Sequence, residues 1–253
     1  MGFAVQSALS WRWPRGRDAS GSSAALEKLW QAARATRHYR QLKEEEWSQI
    51  PPLPLECYYS QFADFDSGAA LSPVQRVGCL WQAPARVLVL KPWFSLAKGQ
   101  IVVPEPSCRM LEKIKPEALA GPIEILRGTA IAAAQDRLSL DLRFGVIVLE
   151  GIGRGWVLSE DRNRFWCVFQ APVYREFRGF QGELLAWECE AHDGLHSSDD
   201  LAIWEEDSGE LLLTSLANLR YPALRLRTGV EGRIDASECN CGRPGIRLRV
   251  VCK

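Results

Sequence analysis

Cys239 and Cys241 stand one residue apart and are followed by Gly242, and no other feature constrains the fold of this chain as much. A third cysteine, Cys189, and two histidines, His192 and His196, lie well upstream. A closed structural zinc site takes four Cys or His ligands in a tetrahedron. An ion shared by both segments would fasten distant stretches of chain together, so the fold must bring them to one place. A glycine after the second cysteine suits a tight turn that aims both sulfurs the same way. We assign Cys189, His196, Cys239 and Cys241 as a structural zinc set, with His192 competing for the histidine place. Spacing alone leaves open free thiols beside a surface histidine, because chance clusters arise among eight cysteines.

Motifs around this set occur in a particular order. Gly209-Glu210-Leu211-Leu212-Leu213-Thr214-Ser215-Leu216 comes first, then Tyr221-Pro222-Ala223-Leu224-Arg225-Leu226-Arg227-Thr228-Gly229, then Cys239-Asn240-Cys241-Gly242-Arg243. They resemble the phenylacetate–CoA ligase and coenzyme F390 synthetase branch of the adenylate-forming enzymes. That branch has a G-E-L strand, a T-x-L, a P-x-x-R-x-R-T-x-D and often a C-x-C-G-R. The stretch from Glu188-Cys189 to His196 resembles the upstream half of the branch's zinc site. The resemblance implies an α/β fold, a shortened N-terminal large domain of the adenylate-forming enzymes with a structural zinc. Residues 12–23 are polar and Gly/Ser-bearing, so a loose lead-in is expected at 1–23 and a single domain at 24–253.

The pattern along the chain is consistent with that class. Leu26, Leu29, Trp30 and Ala33 recur at helical spacing, with Ser22 or Ser23 as the expected cap. His38-Tyr39-Arg40 resembles the end of the family's first helix, and His38 itself is expected to cap or to face solvent. Ile50-Pro51-Pro52-Leu53-Pro54 stops any helix. Strands are expected at 85–90, at 100–103 and over Gly145 to Leu149, the last buried on both faces. A short helix is expected at 110–114, the resemblance implies helices at 123–134 and 160–169, and the alternation argues for α/β. Asp207-Ser208-Gly209 reads as a hairpin turn, with the neighbouring acidic residues solvated. Net charge is zero with both signs mixed, which speaks against a nucleic-acid surface or a membrane patch. No apolar run is long enough to span a bilayer. Met1 to Trp11 lacks the basic flank of a signal peptide, and eight cysteines without scaffold spacing suit a reducing cytoplasm.

The resemblance also locates the chemical positions, and there the sequence departs from the pattern. The family's Tyr-Gly-x-Thr-Glu, which stacks adenine and binds magnesium, falls on Phe177-Arg178-Gly179-Phe180-Gln181. Phe180 cannot hydrogen-bond, and Gln181 lacks the charge a hard cation needs. The ribose-binding aspartate falls on Val230. Asp66 to Pro73, the nearest match to a phosphate loop, has no lysine or threonine and reads as an ordinary turn. The chain stops at Lys253, before a C-terminal lid domain. The resemblance thus marks Phe177, Gln181 and Arg227 as the remnants of a nucleotide site. The reading that follows is a catalytically inactive, zinc-held homologue that binds a protein partner, its own copies, or an acyl or aryl small molecule. The alternative is an acyl- or aryl-acid adenylating or CoA-ligase-type enzyme with an altered site completed by another chain. In that case Arg178, Gln181, Arg225 and Arg227 would contact phosphate or carboxylate.

Overall fold

The computed structural model describes residues 19–41, 49–71, 76–78, 86–197 and 200–251. The apolar start, most of the lead-in, and Ser72 and Pro73 lie outside them. The chain condenses into two compact units: one formed by residues up to 71 with 199–205 and 212–227, the other by 72–198, 206–211 and 228–253.

The larger unit is built on a sheet in the order β2-β1-β3-β4-β5-β6-β7-β11, followed by most of β10. Its first half is parallel. Strands β1 (Val87–Leu90), β2 (Ile101–Val103), β3 (Ala118–Gly121), β4 (Gly145–Gly151) and β5 (Val173–Arg178) run in one direction. Helices α3 (Cys108–Ile114), α4 (Ile123–Gln135) and α5 (Ser159–Phe169) make the connections that parallel pairing demands. The alternation of strand side chains fixes what each face covers. Leu88, Leu90, Val146 and Val148 join Leu126, Ala130, Phe165 and Phe169 in one core cluster. Val87, Val89, Ile147 and Leu149 join Trp93, Phe94 and Leu96 in another. Every residue of β4 is buried, as expected for an apolar strand covered on both faces.

From β5 onward the pairing is antiparallel, through β6 (Leu184–Glu188), β7 (Leu195–Ser197), β11 (Arg247–Val250) and β10 (Leu226–Asp235). β8 (Ala202–Asp207) and β9 (Glu210–Ser215) are joined by the predicted tight turn, where Ser208 and Gly209 both have positive φ, 55° and 84°.

The smaller unit holds α1 (Ala19–Ala35) and α2 (Leu55–Ser60). Ser22 and Ser23 lie inside α1 rather than capping it, so that expectation is corrected. Leu29 and Ala33 are buried as the stripe predicts. His38 is half-buried and stacks on Phe65 at 4.3 Å instead of capping or facing water. Tyr39 is buried and accepts the amide of Leu224 through its hydroxyl, 3.0 Å away. Tyr58 donates to the carbonyl of Tyr221 at 2.9 Å. The Pro-rich stretch ends in an isolated bridge between Leu53 and Leu226. Glu205 is not solvated as expected, because its carboxylate accepts from Arg225 at 3.1 Å in a mostly buried pair.

Candidate functional site

Strand geometry brings the cysteine–histidine set together. β6 ends at Glu188, and the chain turns through Cys189, with the amide of His192 returning to the Cys189 carbonyl at 3.0 Å. Gly194 then enters β7 with φ 86°. Antiparallel register sets His196 opposite Trp187 on one side and Arg247 on the other. A second turn presents the other two sulfurs: the Gly242 amide bonds the Cys239 carbonyl at 2.9 Å, and the Arg243 amide points at Cys241 Sγ at 3.5 Å.

The ligand atoms of Cys189, His196, Cys239 and Cys241 all lie within 4.8 Å of one another. Cys189 Sγ is 3.7 Å from Cys239 Sγ, and His196 Nε2 is 3.3 Å from Cys241 Sγ. Zinc–sulfur bonds of about 2.3 Å in a tetrahedron imply sulfur atoms about 3.8 Å apart, so the spacing and the donor set suit such an ion. Cys189, Cys239 and His196 are buried, and Cys241 is partly so. Burial pushes the Cys189 thiol up to about 11. Burial also pulls on Cys241, but the Arg243 amide and the neighbouring thiols outweigh it and hold its pKa below the ordinary value. His196 is lowered by burial and by the nearby Arg243 and Arg247 guanidinium groups. Its Nδ1 is buried without a hydrogen-bond partner among the described residues, and Nε2 is the nitrogen that faces Cys241 Sγ.

His192 does not join the cluster. It stacks on Tyr174 at 5.2 Å, with Nδ1 3.4 Å from the Glu188 carboxylate. Around the cluster runs a charged frame that the sequence did not reveal. Arg243 pairs with Glu190 at 2.6 Å, while Arg247 and Arg249 both grip Asp193 and Asp235. The alternating Arg247-Leu248-Arg249 was the available signal, since a strand with a buried leucine puts both arginines on the opposite face.

The residues that the resemblance assigns to a nucleotide site are distributed as follows. Phe177 is buried in β5 and stacks on Trp156, with centroids 5.6 Å apart and planes 21° apart. Gln181 lies in the β5–β6 turn, its amide donating to the Glu183 carboxylate at 2.9 Å. Arg227 belongs to the smaller unit, its amide bonded to the Leu53 carbonyl at 2.9 Å. Val230 is buried. Arg178, a residue of the alternative reading, is completely buried. It donates to Glu176 at 2.6 Å and to the carbonyls of Gly182 and Arg76 at 2.7 and 2.8 Å. Arg225 is held by Glu205 and by the Ile50 carbonyl. In the segment expected to be a plain turn, the Asp66 carboxylate and Ser67 hydroxyl accept the amides of Gly68 and Ala69 at 2.8 and 3.1 Å.

No family model matches the sequence, and no curated protein matches it. Solved structures do. 2-Hydroxyisobutyryl-CoA ligase in an open conformation with 2-HIB-AMP and CoA aligns with a TM-score of 0.63 at 17% identity, covering 90% of this chain and 68% of that one. The fold is that of an acid–CoA ligase, in part. The same ligase in its postadenylation state with 2-HIB-AMP gives 0.63 at 17% identity over 90% of this chain and 66% of that one. In the thioesterification state the values are 0.62 and 15%, over 92% and 67%. The ligase-like chain thus spans about two thirds of those proteins. Among the described residues no helix is long and apolar enough to cross a membrane.

Proposed function

We propose that this chain is a zinc-held, catalytically inactive relative of the phenylacetate–CoA ligase branch, kept for binding a protein partner or an acyl or aryl ligand. The observation that carries the reading is the Cys189/His196/Cys239/Cys241 cluster on a ligase-like fold, and the loss of the chemical positions is what the resemblance implies. Zinc bound there would have four protein ligands and no open place, so its contribution is stability. The magnesium position of the resemblance is Gln181, whose side chain is uncharged and whose backbone amide donates to the Glu183 carboxylate. The ribose position is the buried, apolar Val230. Arg178 and Arg225, which could have served phosphate, are committed to Glu176 and Glu205. The loop at Asp66 satisfies two of its amides with its own side chains rather than offering them to an anion.

Calorimetry of the zinc-loaded protein with Mg-ATP and with a non-hydrolysable acyl-adenylate mimic tests this reading. The expected result is no heat with Mg-ATP. Saturable Mg-ATP binding would move the reading to an enzyme with an altered site.

A further inference from the structure

The spatial order β2-β1-β3-β4-β5 contains a reversal. From β1 the chain crosses one face of the sheet to reach β2, and the later connections, through α3, α4 and α5, cover the other. Ligands of open α/β sheets settle outside the carboxyl ends of the strands near such a reversal. The reversal lies between β1 and β3, and the carboxyl ends of the next strands along, β4 and β5, are covered by the chain itself. Segment 91–100 leaves the end of β1 and lays Trp93 and Phe94 over the ends of β4 and β5. The Trp93 indole N–H donates to the Gly179 carbonyl at 3.3 Å, and the Arg154 guanidinium lies 4.0 Å above its ring. A Cβ on Gly151, the last residue of β4, would come within 3.2 Å of the indole, and one on Gly182 would overlap Phe94. These glycines leave flat backbone on which the two rings sit.

The segment is fastened at its ends. The Lys91 amide bonds the Val103 carbonyl at 3.0 Å, and the Gln100 side chain exchanges hydrogen bonds of 2.9 and 2.8 Å with the Val77 backbone. Both ends also have left-handed backbone, with φ 42° at Lys91 and 94° at Gly99. Between them, Trp93 and Phe94 are half-buried.

We propose that segment 91–100 is a strap, and that Trp93 is a built-in plug of the crevice above the ends of β4 and β5. A planar aromatic group with an N–H donor enters only when the strap lifts and the Gly179 carbonyl and the Arg154 guanidinium are released. This rests on the fold and not on the loss of catalysis.

Hydrogen exchange on the full chain tests it with two variants. Arg154 is exposed, so Arg154→Ala removes one clamp without touching the core. A cation–π contact at a surface site corresponds to about 2- to 5-fold in opening. Exchange of 91–99 and 179–182 should therefore quicken by about that factor, with the remainder unchanged. No change in those segments, or a uniform change across the chain, overturns the proposal. For Trp93→Ala the probe is indole, which should bind and slow exchange at 179–182, while the wild-type chain binds it at least about tenfold more weakly. Equal binding by both, or no binding by the variant, would make Trp93 ordinary packing and overturn the plug. Neither result bears on Mg-ATP binding by the unmodified chain, so the two proposals fail separately.

Discussion

Cys241 is the most accessible of the four cluster residues, and the others are buried. Cys241→Ser should therefore abolish stoichiometric zinc and lower the melting temperature, because metal binding by a site that exists only in the folded state is folding free energy. Metal analysis and calorimetry check both. A wild-type protein that purifies without metal and melts as the variant does would contradict the assignment. Asp161 offers a second residue-scale prediction. Although burial pulls its pKa up, hydrogen bonds from Arg127 and from the Leu158 amide outweigh this and hold it below the usual carboxylate range. A depressed pKa gives stability that is complete above the unfolded value of about 3.9 and is lost as pH falls through the folded value. Asp161→Asn should thus destabilise at pH 7, and its difference from wild type should shrink below about pH 4 in denaturant titrations. A difference independent of pH would contradict the ion-pair account. The cysteines and histidine were legible because a metal site needs few residue types at local spacings. Arg178–Glu176 and Arg175–Glu150 were not, because arginine and glutamate ordinarily mark a surface and sequence carries no sign that a pair is buried.

At the scale of elements, the turn at Cys239 to Gly242 and the parallel strands β1, β2 and β4 were the most readable parts. Gly242 has φ 75° and nothing within 4 Å of an added Cβ. Gly242→Ala should therefore cost about 1–2 kcal/mol of backbone strain, measured by denaturant unfolding, with zinc retained. A much larger loss would reveal packing at that position. β4 was readable because a fully buried parallel strand is continuously apolar, and α4 because the resemblance implied a helix there. Segment 91–100 was not readable, since its function comes from Trp93 and Phe94 meeting glycines after β4 and β5, and such long-range contact leaves no period in the sequence. β7 was also missed, as a three-residue strand is too short for alternation to register.

For the whole molecule, the α/β class and the likeness to part of an acid–CoA ligase were carried by motif order, while the division into two compact units was not. That division draws on residues scattered along the chain, which no boundary composition marks. The central claim is that this ligase-like fold holds its cysteine–histidine cluster without adenylating chemistry. ATP–pyrophosphate exchange by the zinc-loaded protein, across a panel of aliphatic and aryl acids with magnesium, tests it most directly. The account predicts no exchange above the protein-free background with any acid. Acid-dependent exchange that disappears in Gln181→Ala, in a variant that keeps its zinc, would contradict it.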